Sequence, residues 1–356
     1  MTDIIMGDTA RLLLFFAFSF AFSYYSNIVF LKFIKSPGIR KNGNSQERWA
    51  TSSKPATGGL TFYLVFLLSS VFSFFFIHDG NEVPGSSYTG LLASGSLAFL
   101  MGIADDAYGT KPMLKFVTQV ICGIIMIMTG TVIHFFNYEL LNFLLTVLWV
   151  AGMMNSINMI DNMDGLAGGI SISILLAIIL IMVFSGLSGD IHLILFVSLV
   201  ASLIAFLKYN LHPSTIYMGD TGSQFLGNLL AYGGIHYLWN FDCGTDASDF
   251  IPALAVALIY IIPLSDTFTV SWNRILSGSS PVIGGKDHTS HHLSRLGFSD
   301  NKVFLIFTLT AMFSSFIGIL LLLSDFFYGL FLTAPLLIGL VIFGILLSVT
   351  RIGIKK

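Results

Sequence analysis

The chain has 356 residues, of which 55% are hydrophobic and 10% are charged, and its mean hydropathy is +0.84. No water-soluble domain of this length needs so much apolar surface, so the composition excludes that class and favours a multi-pass membrane protein. The formal net charge of -2 carries little information, because the distribution of charge matters more than its sum. We expect no nucleic-acid partner. Cys122 and Cys243 are too few and too differently placed for a disulfide framework.

Apolar runs broken by Gly, Pro and charged loops predict an all-α polytopic protein with about eleven transmembrane helices. It would form a single integral membrane domain, residues 1–356. The predicted spans cover residues 12–33, 58–77, 89–104, 115–134, 139–157, 166–186, 192–209, 223–240, 249–271, 302–323 and 329–349. The first is expected to be retained, because it is too long for a signal-peptide core. An outer N-terminus and a cytoplasmic C-terminus put every Lys and Arg except Arg11 on the inner side.

Two adjacent acids, Asp105 and Asp106, end the third predicted span, and Lys115 opens the fourth. Carboxylates beside hydrocarbon are costly and are usually kept for function. The pair therefore suggests a divalent-cation site, or a base whose pKa is shifted by its neighbour. A solvated helix end that stops the span is the structural alternative.

Four polar residues recur every three positions from the inner end of the fifth predicted span: Asn155, Asn158, Asp161 and Asp164. On a helix they would form one polar stripe. Amide and carboxylate groups could hold a metal ion and a nucleobase edge. Polar contact between membrane helices is the alternative, but it rarely needs four such side chains, so a functional role is favoured.

The loop before the eighth predicted span reads Tyr217-Met-Gly-Asp220-Thr-Gly-Ser223. Glycines around Asp220 would let backbone N–H groups approach an anion at the start of a helix. Asp220 also suits Mg²⁺, because hard cations bound to phosphates typically take one or two carboxylates. An ordinary N-cap aspartate is the alternative.

The inner loop after the ninth predicted span is rich in charged and titratable residues. It carries Arg274, Lys286, Asp287, His288, His291, His292 and Arg295. The Lys, Arg and His side chains of this set could together bind a diphosphate. Zinc ligation is a weaker alternative, since no nearby cysteine or His-Glu-x-x-His pattern accompanies the histidines. The chain has no Walker loop, dinucleotide fingerprint or Ser-His-Asp signature, so ATP-driven pumping and serine hydrolysis lack support.

Taken together, these loops resemble those of the polyprenyl-phosphate N-acetylhexosamine-1-phosphate transferase family, which includes phospho-N-acetylmuramoyl-pentapeptide transferase. The resemblance runs from Lys54-Pro55-Ala-Thr57-Gly58-Gly59 to the histidine loop, with the motifs in the family order. The number of spans and the outer N-terminus are more similar to the branch that uses UDP-N-acetylglucosamine than to the peptidoglycan branch. Two features depart from the family pattern. Asn162 stands where glycine is usual, and the last motif reads Asp-His-Thr-Ser-His-His instead of His-x-His-His.

The resemblance implies roles for the acids and the lysine. Asp220 would be the principal Mg²⁺ ligand, helped by Asn158, with Mn²⁺ as an alternative ion. Asp105, with Asp106 beside it, would be a catalytic base or a phosphate-positioning acid. Lys115 would contact the diphosphate.

The remaining matched residues would bind substrate. Asp161 and Asp164 are similar to uridine-binding acids, Tyr217 to an aromatic residue that stacks on uracil, and the histidines to residues on the phosphate and sugar side. The full predicted set is Lys54, Asn155, Asp161, Asp164, Tyr217, Arg274, His288, His291 and His292.

The reaction implied is transfer of a sugar-1-phosphate, in particular N-acetylglucosamine-1-phosphate, from a UDP-N-acetylhexosamine to undecaprenyl phosphate, with release of UMP. This step would start lipid-linked cell-envelope glycan synthesis on the cytoplasmic face of the bacterial inner membrane. The lipid phosphate would arrive from the inner leaflet, and a homodimer is compatible with this arrangement.

Three alternatives remain at the level of sequence. The sugar could be another UDP-N-acetylhexosamine, or the protein could be an ion-coupled transporter or a non-catalytic scaffold. Transport is disfavoured because the acids gather at one face instead of near the bilayer midplane. A non-catalytic scaffold would not explain why the loops carry so many Asp, Lys and His residues.

Overall fold

The computed structural model describes residues 2–33, 54–76, 85–244, 250–278, 285, 287–323 and 332–352. These residues form α-helices and one π-helix, and the part of the chain described contains no β-sheet. The helices are α1 (Thr2–Phe33), α2 (Gly58–Phe76), α3 (Ser86–Tyr108), α4 (Pro112–Met128), α5 (Glu139–Ile160), α6 (Leu166–Phe184), α7 (Ile191–Asn210), α8 (Gly219–Gly234), π1 (Ile235–Trp239), α9 (Phe250–Ile259), α10 (Ile261–Leu276), α11 (Thr289–Arg295), α12 (Asp300–Leu323) and α13 (Thr333–Ile352).

The all-helical, polytopic architecture predicted from the sequence is confirmed. Among the described residues, seven helices are long and apolar enough to cross a membrane, namely α1, α3, α5, α6, α7, α12 and α13. Helices α9 and α10 form an eighth span if they are counted together, and α2 and α4 are shorter apolar helices. The count of eleven spans and the orientation of the termini stay predictions.

The ninth predicted span, residues 249–271, is not one straight helix. It breaks at Tyr260, where α9 and α10 meet at a bend of 79°. Pro263 explains the break, because its ring has no N–H and would clash with the carbonyl group of Ile259 in a continuous helix. The bend sends α10 off in a new direction, and α10 carries Asp266 and Arg274.

Helix α8 lies at the centre of the bundle, and all of its residues are buried. It packs against α2, α3, α5 and α6. Polar side chains on α8 find partners on its neighbours. Gln119 Nε2 donates to Gln224 Oε1 at 3.1 Å, and Asn228 Nδ2 donates to Ser94 Oγ at 3.1 Å. Such contacts commonly join helices within a membrane, so α8 is held laterally as well as by apolar packing.

The loops that carry the predicted acids meet at one end of this bundle. Asp105 lies in the last turn of α3 and Asp220 in the first turn of α8, and both contact Lys115 at the start of α4. Asn158, in the last turn of α5, joins them through Asp220. The fold therefore gathers residues from four helices around the start of α8.

Candidate active site

The turn that presents Asp220 is held by the segment that precedes α2. Residues 217–218 pair with residues 55–59 through three backbone hydrogen bonds of 2.9 to 3.1 Å. Gly219 has a φ of +75°, a left-handed conformation that glycine adopts at no steric cost. The chain therefore turns directly into α8 and places Asp220 in its first turn.

Glycines let the neighbouring helices touch this turn. A Cβ atom on Gly59 would lie 2.2 Å from the backbone nitrogen of Gly222, and one on Gly102 would lie 2.3 Å from the Cα of Thr221. Ordinary carbon contacts are about 3.5–4.0 Å. The main chains of α2 and α3 thus lie against the main chain of α8, and the contact between α3 and α8 fixes how far Asp105 and Asp106 lie from Asp220.

Four side chains form what we name the acid–lysine cluster: Asp105, Lys115, Asn158 and Asp220. Lys115 Nζ lies 2.5 Å from Asp105 Oδ2 and 3.4 Å from Asp220 Oδ2. The Asn158 amide donates to the second oxygen of Asp220. The two carboxylates are 7% and 10% exposed. Two largely buried acids from different helices therefore share one cation.

Further hydrogen bonds orient the members of the cluster. Thr110 donates to Asp105 Oδ1 through its backbone nitrogen at 2.8 Å and its hydroxyl at 2.6 Å. Asn158 Nδ2 also contacts Ser223 Oγ at 2.8 Å. Thr110 and Ser223 are not among the predicted site residues, because each supports a functional side chain instead of facing a substrate.

Asp106 faces the backbone of α8 instead of the cluster. Its Oδ1 accepts from the Asp220 nitrogen at 3.0 Å, and its Oδ2 accepts from the Thr221 nitrogen at 2.9 Å and the Thr221 hydroxyl at 2.7 Å. The first N–H groups of a helix have no partner within it, and a negative charge there is favoured by the helix dipole. The residue predicted to assist catalysis beside Asp105 thus caps the helix that carries Asp220.

The predicted polar stripe does not lie on one helix, because α5 ends at Ile160. Asp161 is the residue after the helix, and Asp164 lies in the turn beyond it. Asn155 is exposed, and its amide lies 3.3 Å from the sulfur of Met159. Of the four stripe residues, Asn158 belongs to the acid–lysine cluster.

A second network joins three of the predicted substrate residues through Ser214. Asp164 accepts hydrogen bonds from the Ser214 nitrogen at 3.0 Å and hydroxyl at 2.8 Å, and it lies 3.1 Å from His212 Nδ1. Lys54 Nζ donates to Ser214 Oγ at 3.1 Å and lies 5.1 Å from the centre of the Tyr217 ring. Lys54, Asp164 and Tyr217 therefore form one connected surface next to the turn that presents Asp220.

The histidine loop is anchored by Asp266, which is 3% exposed. Its Oδ2 lies 2.9 Å from His288 Nδ1, and its Oδ1 accepts from the Thr289 nitrogen at 2.9 Å. A carboxylate at Nδ1 fixes the ring and leaves Nε2 for another partner. Asp266 is not among the predicted site residues. Since 22 positions separate it from His288, no local pattern could have shown the pairing.

Arg274 and Asp287 form a two-pronged ion pair, with Nε and one terminal nitrogen each 2.7 Å from a carboxylate oxygen. Burial alone would raise the pKa of Asp287, but the Arg274 guanidinium holds that pKa below its usual range. Arg274, predicted to bind substrate, thus pairs from α10 with an acid of the histidine loop. The ion pair fixes the histidine loop at Asp287, the residue immediately before His288.

Two of the three loop histidines are neutral at neutral pH. Burial, reinforced by the nearby charge of His288, lowers the pKa of His291 to about 4. Burial and the Arg295 charge lower the pKa of His292 as well. These rings would therefore contact a phosphate or sugar through hydrogen bonds and not through positive charge.

The histidine loop docks on the end of α5. The Ser290 hydroxyl donates to Asn162 Oδ1 at 2.8 Å, and the Thr267 hydroxyl donates to Ser156 Oγ at 2.8 Å. Asn162 is the residue that departs from the family pattern, and its side chain makes a contact that glycine could not. The loop therefore lies at the same end of the bundle as the acid–lysine cluster.

The acid–lysine cluster has the donor set of a magnesium site. Carboxylate and amide oxygens are ligands that hard cations prefer, and one or two carboxylates are typical when phosphates supply the rest. The Lys115 ammonium between Asp105 and Asp220 shows that the two acids can share a positive charge. Asn158 would turn its amide so that Oδ1 faces the ion. These residues fit Mg²⁺ or Mn²⁺.

Comparison with known proteins gives the family. Residues 88–237, which include the whole acid–lysine cluster, match the family described as glycosyl transferase family 4. Over 261 residues the chain is 34% identical to a probable undecaprenyl-phosphate N-acetylglucosaminyl 1-phosphate transferase of Bacillus subtilis, with 70% of each chain covered. It is 27% identical to phospho-N-acetylmuramoyl-pentapeptide-transferases of Staphylococcus saprophyticus and Staphylococcus aureus, with 79% of this chain and 88% of each relative covered. The chain therefore belongs to glycosyl transferase family 4, whose members transfer a phosphosugar to a polyprenyl phosphate in cell-envelope synthesis.

Proposed function

We propose that the protein transfers N-acetylglucosamine-1-phosphate from UDP-N-acetylglucosamine to undecaprenyl phosphate and releases UMP. The observation that carries this proposal is the acid–lysine cluster, in which one ammonium lies between two buried carboxylates at the start of α8. Family membership supports the reaction class. The name of the Bacillus subtilis relative supports the lipid and the sugar.

The chemistry explains why such a cluster is needed. An oxygen of the lipid phosphate forms a bond to the sugar-linked phosphorus, and the bond from that phosphorus to UMP breaks. Both reactants are anions, so the site must offset their repulsion. When bound, Mg²⁺ would neutralise phosphate charge and polarise the reacting group. Asp220 and Asn158 would hold it, and Lys115 would stabilise charge that moves onto the departing UMP.

We assign Asp105 and Asp106 to positioning. A fully ionised lipid phosphate needs no base for in-line displacement, and placement supplies much of the rate in phosphoryl transfer. Asp105 holds the ammonium of Lys115 at 2.5 Å. Asp106 holds the first turn of α8 through its backbone N–H groups. With both acids in positioning roles, we propose direct displacement in preference to a covalent phospho-aspartate route.

The uridine would bind beside α8 on the surface formed by Lys54, Asp164 and Tyr217. The Tyr217 ring offers one face for stacking, since Lys54 lies over its other face at 5.1 Å. Asp164 orients this surface through Ser214, and Asp161, at the end of α5, would accept hydrogen bonds from the base. The nucleotide would thus lie with its diphosphate towards Lys115.

The histidine loop would cover the phosphate and sugar side. Asp266 fixes His288 with Nε2 left for substrate, and the neutral His291 and His292 add hydrogen-bonding groups without charge. The Arg274–Asp287 pair keeps the loop in place.

The site would lie on the cytoplasmic face of the bacterial inner membrane, where the positive-inside rule puts the acid-bearing loops. UDP-sugar would arrive from the cytoplasm, whereas the lipid head group would enter sideways from the inner leaflet. A site built from helix ends is open to both. A homodimer is compatible with this geometry.

One assay tests the proposal. Purified protein, undecaprenyl phosphate and Mg²⁺ are mixed with each of several UDP-sugars, and UMP is measured. We expect UMP release to depend on the lipid and to be fastest with UDP-N-acetylglucosamine. Faster turnover with another UDP-N-acetylhexosamine would overturn the sugar assignment alone. Counterflow of substrate across proteoliposomes without UMP release would overturn the proposed reaction.

A further inference from the structure

A second group of acid and histidine side chains, each able to ligate a metal ion, lies at the opposite end of the bundle from the acid–lysine cluster. It consists of Asp190 and His192 at the start of α7 and His236 in π1. Helix α8 begins at the acid–lysine cluster and leads into π1, so its 16 residues separate the two sites by roughly 24 Å at 1.5 Å per residue. We name Asp190, His192 and His236 the distal cluster.

The three side chains of the distal cluster already converge. One potential ligand atom from each lies within 4.8 Å of the others. Asp190 Oδ1 lies 2.7 Å from His192 Nδ1, and its Oδ2 accepts a hydrogen bond from the Tyr237 hydroxyl at 2.9 Å. His192 Nε2 lies 2.8 Å from the Tyr232 hydroxyl. The acid and the first histidine are thus oriented from both sides, as ligands supported by an outer layer of hydrogen bonds are.

His236 is the member whose position asks for an explanation. Its ring stacks on Tyr232, with centroids 5.4 Å apart and planes at 9°, and lies 5.3 Å from the His192 ring. Within the described part of the chain, no other residue makes a hydrogen bond with its imidazole nitrogens. It also lies in a π-helix, a rare conformation that occurs often at functional sites. Packing alone would not require a titratable ring at this place.

We propose that the distal cluster binds a divalent transition-metal cation of the zinc class. One Asp190 oxygen and one nitrogen from each of His192 and His236 would be the ligands, a mixed oxygen and nitrogen set that suits Zn²⁺ better than Mg²⁺. Three protein ligands leave a fourth position for water.

Proton balance is consistent with this site. The cation takes the place of the hydrogen between Asp190 and His192 Nδ1, and the neutral ring moves its single hydrogen to Nε2, so no proton is lost from the ring. The ring then carries its hydrogen on Nε2, where the Tyr232 oxygen at 2.8 Å can accept it. Tyr237 continues to donate to the second oxygen of Asp190. Metal binding therefore keeps the surrounding hydrogen bonds and uses the nitrogen of His236.

The test is zinc binding by the purified full-length protein, measured by competition with a chelating dye and by metal content after desalting. We expect about one equivalent that is lost in His236→Gln, with affinity reduced at least tenfold, by analogy with the effect of outer-layer substitutions. His134→Gln is the matched control, because His134 is an exposed histidine that precedes α5 at the same end. We expect that variant to bind as the wild type does.

A second substitution protects the test from a folding failure. His236→Phe keeps an aromatic ring against Tyr232 but offers no nitrogen, so it should fold, lose zinc and retain Mg²⁺-dependent transfer. Zinc bound equally by the wild type and both His236 variants would overturn the proposal, as would a wild type that binds no zinc at micromolar concentrations. A wild-type protein that binds zinc but releases no UMP would count against the proposed function and not against this site.

Discussion

Replacing Gly102 with alanine should damage the site without removing any functional group. A Cβ at this position would lie 2.3 Å from Thr221 Cα and 2.5 Å from the Asp220 carbonyl oxygen. Since ordinary contacts begin at about 3.5 Å, α3 and α8 must separate by roughly 1 Å. A misplacement of that size can cost about 100-fold in rate, and overpacking of this kind costs about 1–3 kcal/mol of stability.

The assay is UMP release beside thermal unfolding of the same preparation. Gly152→Ala is the matched control, because Gly152 lies within α5 and a Cβ there would have no neighbour within 4 Å. That change should leave transfer intact and stabilise the helix by about 0.5–1 kcal/mol. If Gly102→Ala melts like the wild type and keeps transfer within about twofold, main-chain packing of α3 on α8 does not set the geometry of the acids.

Three further predictions concern the acids and the histidine loop. Asp106→Asn should lower the free energy of unfolding by about 1–3 kcal/mol, because one amide oxygen cannot accept all three hydrogen bonds. The same change should raise the Mg²⁺ concentration needed for half-maximal transfer. An unchanged unfolding temperature with no transfer at any Mg²⁺ concentration would instead show that Asp106 has a direct chemical role. Asp266→Asn should reduce kcat about tenfold or more while KM for the UDP-sugar changes little, and a loss confined to KM would remove its role in orienting His288. The pKa of His291 is about 4 in the folded protein and ordinary in the unfolded chain, so the unfolded state binds more protons at mildly acidic pH. The stability of the folded protein therefore falls as the pH drops from 7 to 5. The unfolding temperature of His291→Gln should depend less on pH over that interval, and an unchanged pH dependence would contradict a neutral, buried His291.

Much of the architecture can be predicted from the sequence, because runs of apolar residues of spanning length predict the membrane helices. The same runs set how often the chain returns to one face, which is why Asp105, Asn158 and Asp220 could be expected to meet. Gly102 shows the limit of such reasoning. It reads as one more small residue in a membrane helix, and only the close approach of α3 to α8 shows why no Cβ fits there.

The remaining features depend on contacts between distant parts of the chain. Asp105 and Asp106 are neighbours in sequence, yet consecutive residues of a helix point about 100° apart, so one faces Lys115 and the other caps α8. The polar stripe predicted from Asn155 to Asp164 required a continuous helix, but α5 ends at Ile160. The pairing of Asp266 with His288 joins two different helices, so it could not be predicted from the residues around either one.

The central claim is that loops from four helices build one cation-organised transfer site around Asp220. It is tested most directly by UMP release as a function of Mg²⁺ concentration, with wild-type protein and Asp220→Asn, each shown to be folded by its unfolding temperature. We expect wild-type turnover to require the divalent ion, and the variant to lose on the order of 100-fold or more at every concentration. Near-normal, Mg²⁺-dependent turnover by folded Asp220→Asn would contradict the account.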